Sequence, residues 1–169
     1  ASYYEIGRTL ISLGNDEKAL ENLQIVVTKF PGSSYVRKAL VSIAQTHYNA
    51  GKDDEALLVF NKIIKDYPNF EDSREALIGI KNIYIDRGKA SEYDALINDL
   101  GFVDFSESAR DSLYYEAAES QYFDANCKES VESFTKYLNM FDKPLFGLNA
   151  RFYRAECLMK MGQAKESLR

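Results

Sequence analysis

The stretch NAGKDDEALLVFNKIIKDYPNFEDSREAL, residues 49–77, decides the fold. Gly51 stands five residues before Ala56, and the pair Tyr67–Pro68 closes the pattern, with Pro68 twelve residues after that alanine. A lone amphipathic helix needs no such punctuation. The same marks stand 37 residues earlier as Gly14, Ala19 and Pro31. Gly88, Ala125 and Gly162 continue the glycine phase, and Ala19, Ala56, Tyr93, Ser130 and Ser167 share the alanine phase. The residue before the proline phase reads Phe30, Tyr67, Asp104, Phe141. Self-similarity at a fixed period is the signature of a repeat architecture.

Each period reads as two helices. In the second, Leu40, Ile43, Ala44 and His47 recur at i, i+3, i+4, i+7, one helical face. Gly51 supplies the left-handed residue that commonly ends a helix. Asp53, Asp54 and Glu55 then match the positive end of the next helix, whose apolar face is Ala56, Phe60 and Ile63 and which Pro68 stops. Two helices joined by a short turn pack antiparallel and close only over small side chains. Ala44 with Ala56, Gly7 with Ala19, and Ala118 with Ser130 fill those places. Capping boxes are expected from Asn126 with Glu129, and from Ser91 with Asp94. Helix breaks are expected near Gly14, Pro31, Gly51, Pro68, Gly88, Gly101, Ala125 and Pro144.

This pattern resembles the tetratricopeptide repeat. The residues that carry the likeness are Ala44, Gly51, Ala56, Phe60, Ile63 and Pro68 in the second unit, and Gly7, Gly14, Ala19, Leu23, Val26 and Pro31 in the first. It implies an all-α fold, a right-handed αα superhelix of antiparallel helix pairs with about nine helices, a solenoid built by stacking. The units lie near 1–36, 37–73, 74–110, 111–147 and 148–169, a single array over residues 1–169. The chain starts inside one repeat and stops inside another, so it is expected to be a piece of a longer protein. The endings FPGSS and YPNFEDS are similar to those of bacterial cell-envelope repeat proteins, of the outer-membrane-assembly lipoprotein and Tol–Pal coordinator type. That likeness implies the periplasm or cell envelope.

The chain also departs from the family pattern. Three extra residues per period follow the proline, so the first helix should start about one turn early. The third unit has Lys81 and Tyr93 at the small-residue places, lacks the proline and carries Gly101. Its second helix should be short and lead into a loop through GFVDFSES, residues 101–108. The fourth unit has Asp142 at the proline phase, with Pro144 two residues on.

Composition bounds the chemistry. The 21 basic and 26 acidic residues give a net charge of −5, which disfavours a nucleic-acid backbone as partner. No segment reaches the roughly 20 apolar residues of a membrane helix, so direct insertion is not expected. The only two cysteines, Cys127 and Cys157, form no CxxC pair, and with the single histidine, His47, they make no zinc signature. No glycine-rich phosphate motif occurs. The reading is therefore no enzyme and no cofactor. Cys127 should open a helix and Cys157 end near it across the turn at Asp142–Pro144, so the two are expected to be neighbours.

The resemblance implies a protein or peptide partner held on the surface of the first helices. One apolar column there reads Tyr4, Val41, Ile78, Tyr115, Phe152 and another Ile11, Tyr48, Ile85, Tyr122, Met159. A polar column lies between them: Arg8, Gln45, Asn82, Glu119, Glu156. The spacing i, i+4, i+7 puts all three on one stripe. Either both apolar columns are core, or they wall a groove for an amphipathic helix or extended peptide. If they wall a groove, Tyr48, Tyr115, Tyr122 and Phe152 should stay exposed, and a bound segment should put its basic end toward Glu119 and Glu156. The chaperone-tail clamp of some relatives is absent, because Tyr4 and Arg8 stand where its Lys and Asn belong. The alternative to a scaffold is a self-assembly module, with self-association through exposed repeat ends or the groove.

Overall fold

The computed structural model describes residues 2–101, 105–163 and 165–166. Nine α-helices and no strand occur among them. They are α1 (Ser2–Ser12), α2 (Asp16–Lys29), α3 (Tyr35–Asn49), α4 (Asp53–Asp66), α5 (Glu71–Asp86), α6 (Ala90–Leu100), α7 (Glu107–Phe123), α8 (Cys127–Met140) and α9 (Gly147–Lys160). The chain divides into two compact units, Ala1–Ile83 and Tyr84–Arg169, so the division falls inside α5.

Every expected break is a break, and one hydrogen-bond pattern closes most of the first helices. Lys52 N donates to His47 O at 2.9 Å while Gly51 N donates to Tyr48 O at 2.9 Å. The same long closing bond recurs from Asn15 to Leu10 (2.9 Å), Lys89 to Tyr84 (2.7 Å), Asn126 to Gln121 (2.9 Å) and Gln163 to Leu158 (2.8 Å). This is the arrangement in which a left-handed residue lets the turn satisfy orphan carbonyls. Gly51 holds φ 70° there, and Ala125 holds φ 60° without being glycine.

Helices α3 and α5 start at Tyr35 and Glu71, early as the extra residues predict. Helix α6 is short, 11 residues, and ends at Gly101. The expected loop is shorter than 101–108, because Ser106 caps α7 through Ala109 N at 3.2 Å and Glu107 is already helical. Residues 102–104 of that expectation lie outside the described residues. Both expected capping boxes are absent. Asn126 makes no side-chain cap bond, and α6 begins at Ala90, ahead of Ser91. Asn15 accepts from Lys18 N at 3.4 Å instead, a cap the reading missed.

In the first unit the core runs through Tyr4, Leu23, Val26, Ala39 and Ile43. Ala19, Ala44 and Ala56 have no exposed surface, as crossings require. At Gly7 an added Cβ would lie 2.7 Å from Leu23 Cγ, and at Gly79 it would enter the Phe60 ring. Backbone and side chain meet there because glycine leaves room. Fully burying each Leu, Ile or Phe of such a core contributes about 1.5–3 kcal/mol.

In the second unit, α7 pairs with α8, and α9 packs on both. Ser130 Oγ donates to Ala118 O at 3.2 Å across the α7–α8 crossing. Buried Asp111 accepts from Tyr137 OH at 2.6 Å and from Leu145 N at 3.0 Å, and Phe146 N donates to the same Tyr137 oxygen at 3.0 Å. One carboxylate thus ties two helices to the turn before α9. Cys127 and Cys157 form a disulfide with Cα atoms 5.0 Å apart, joining the start of α8 to the end of α9.

Candidate partner-binding surface

The three columns of the first helices do not share one environment. In the first unit Tyr4 is 8% exposed, tilted against Tyr35 at 5.2 Å, and Val41 is 7% exposed. Ile11 and Tyr48 are half-buried, while Ile78 is open. The polar column is exposed throughout this unit at Arg8, Gln45 and Asn82. The Arg8 guanidinium lies 5.9 Å from the centre of the Tyr4 ring, and Gln45 bonds Asn49 at 2.9 Å.

In the second unit Ile85 is half-buried and Tyr115 is buried. The expectation that Tyr115 stays exposed is therefore corrected. Its ring stacks on Phe146 at 4.4 Å and lies 6.0 Å from Phe134 and 5.8 Å from Tyr137. The turn before α9 folds back over it. Tyr4 and Val41 are likewise core and not groove wall. Tyr48 and Tyr122 keep partial exposure, and Phe152 and Met159 are open.

The acidic end of the polar column is built into a network. Tyr115 OH donates to Glu119 at 2.6 Å, and Tyr122 OH donates to Glu156 at 2.7 Å. The Lys160 ammonium sits 2.9 Å from Glu156 and 5.1 Å from the centre of the Tyr122 ring. Hydrogen bonds from Lys160 and then Tyr122 hold the Glu156 carboxyl below the usual carboxylate range. Burial first, then the bond to Glu119, pushes the Tyr115 phenol up. Tyr122 stacks on Tyr153 at 4.4 Å, so aromatic faces flank the carboxylates. The cation beside this aromatic face is the chain's own Lys160.

An open cleft of about 430 Å³ is lined by Glu107, Asp111, Phe141, Asp142 and Leu145, and its buried carboxylate, Asp111, is already bonded to Tyr137 and Leu145. Among the described residues no helix is long and apolar enough to cross a membrane.

With helix pairs, small-residue crossings and left-handed turns in place, the family can be compared directly. Residues 1–33 and 38–69 match the family Tetratricopeptide repeat. That match falls on the first two helix pairs, α1–α2 and α3–α4. Tetratricopeptide repeats are in general non-catalytic scaffolds for protein–protein interaction. No curated protein matches the chain. Among solved structures it is similar to MamA AMB-1, at 14% identity over 99% of this chain and 85% of that one, with a TM-score of 0.48. The nearly identical TPR-like repeats of a Podospora anserina protein give 15% identity, 99% and 89% coverage and a TM-score of 0.49. A thermophilic TPR protein of Thermus thermophilus gives 18%, 99%, 85% and 0.43.

Proposed function

We propose that this tetratricopeptide chain is a non-catalytic scaffold that holds a peptide or helix of a partner protein on the polar stripe of its first helices. The observation that carries this reading is the open run of Arg8, Gln45 and Asn82 beside half-buried Ile11 and Tyr48. A polar seam with apolar edges suits a chain that must satisfy its own backbone while burying side chains. Beside Glu119 and Glu156 the stripe is acidic and aromatic, so the bound segment presents basic residues there. The chain's compartment is the cell envelope, a reading supported by the Cys127–Cys157 disulfide, since disulfides persist where the medium is oxidising. Exposed Tyr3 and Ile6 on α1 favour self-association as a second reading.

Partner capture tests the proposal. Tyr48→Ala and Tyr122→Ala should each weaken binding of a captured peptide by about tenfold, with helicity unchanged. Glu119→Lys with Glu156→Lys should reverse the preference for basic peptides. Equal binding by all these variants would overturn the reading, and a mass that rises with concentration would favour self-assembly.

A further inference from the structure

Cys127 and Cys157 join the start of α8 to the end of α9, yet the repeat does not ask for them. At the same two phases of the other units stand Asp16 and Thr46, Asp53 and Ile83, and Ala90 and Ser120. The pair is therefore an addition to the packing, and its two ends differ. Cys157 has no exposed surface, whereas Cys127 is half-buried and follows the exposed residues 124–126 of the turn from α7. Cys127 is also the first residue of α8, and the residue before it, Asn126, makes no side-chain cap bond. The first amides of that helix are thus left to favour a negative charge, and the thiolate is the reactive form of cysteine. Lys128 and Glu129, its charged neighbours on α8, oppose each other.

Where the oxidant is itself a disulfide, one cysteine must first bond to one of its sulfurs. From the difference between the two ends we propose that Cys127 is a modification site for small disulfides of the glutathione class, and that Cys157 resolves the adduct within the folded chain. The Cys127 thiolate attacks one sulfur of the small disulfide, forms a mixed disulfide and releases one small thiolate. Cys157 then gives up its proton, and its sulfur attacks that of Cys127, closes the bond and expels the second small thiolate. Two cysteine thiols are oxidised, and one small disulfide is reduced to two thiols. Opening by a small thiol runs back through the same mixed disulfide. Cys157, held with its Cα 5.0 Å from that of Cys127, recloses it before a second thiol arrives. Attack on the Cys157 sulfur itself is shut out by the packing. Closure ties down the end of α9 one residue from Glu156, which accepts from Tyr122 OH at 2.7 Å.

The test follows glutathione adducts of the reduced chain by intact mass spectrometry. With oxidised glutathione at neutral pH, Cys157→Ser should take up one glutathione, and Cys127→Ser should do so at least about tenfold more slowly. In urea the two rates should converge. A measurement without substitutions checks the order independently. Acid quenching of the reduced chain early in oxidation, followed by peptide mapping, should find the adduct on Cys127 first and the closed pair later. Opening of the oxidised chain by reduced glutathione should be at least about tenfold slower in buffer than in urea. An adduct mapped to Cys157, or equal uptake by the two folded variants, overturns the proposal. So does loss of helix in the reduced chain by circular dichroism, since the bond would then close before folding. Opening at the same rate in buffer and in urea overturns the resolving role of Cys157.

Discussion

Ala125 turns the chain from α7 into α8 at φ 60°, where a Cβ crowds the next carbonyl oxygen at roughly 1–2 kcal/mol. Ala125→Gly should therefore raise stability by about 1 kcal/mol, read as a higher urea midpoint with an unchanged slope. Ala56, wholly buried at its crossing, behaves oppositely to enlargement. Ala56→Leu should cost about 1–3 kcal/mol, while Lys52→Ala on the adjacent turn should be nearly silent. Matching thermal unfolding of those two variants would contradict the assigned crossing. Both positions were legible because backbone turns and close crossings demand particular residue types at particular phases. Tyr115 was not. Its column predicts an open ring, but what covers it is Phe146, delivered by a turn whose proline comes late, and residue phase carries no information about such a fold-back.

Helix ends and pairings come next in scale. Capping signatures in the sequence were poor guides, because the residue type and even the backbone angles leave the side-chain orientation open. Asn15 caps α2 from φ −103° and ψ 68°, whereas Asn126, at the similar φ −83° and ψ 63°, makes no cap bond. The proximity of Cys127 and Cys157 was legible, since an antiparallel pair brings the start of one helix to the end of the next. Their disulfide spans 30 residues, so reduction should lower stability by about 3–4 kcal/mol on the loop-entropy estimate. Urea unfolding with and without reductant measures this. The same midpoint in both would mean that the bridge does not form in solution.

At the scale of the whole chain, the period predicts the helix content and the breaks, yet it does not announce the division inside α5. That division lies in the repeat where Lys81 and Tyr93 occupy small-residue phases. The candidate surface was legible as a polar column but only partly as apolar walls, because inner positions of the same columns pack as core. Several of the twelve tyrosines belong to that core. Burial pushes the Tyr93 phenol up to about 12, and Tyr115 and Tyr137 are raised as well. A phenol raised in the folded state favours folding fully below its unfolded value of about 10, and that contribution fades as pH rises toward the folded value. Helix content should thus fall as pH climbs above about 10, with part of the tyrosinate absorbance appearing only as helix is lost. Tyrosinate absorbance that completes while the helix is intact would contradict this.

The central claim is that a 37-residue period builds pairs of helices broken at fixed phases. Backbone NMR chemical shifts of the oxidised chain test it most directly. The account predicts helical shifts over the nine segments among the described residues, interrupted at Gly14, Pro31, Gly51, Pro68, Gly88, Gly101, Ala125 and Pro144. Extended-strand shifts in any of those segments, or helical shifts running unbroken through Gly51, would contradict it.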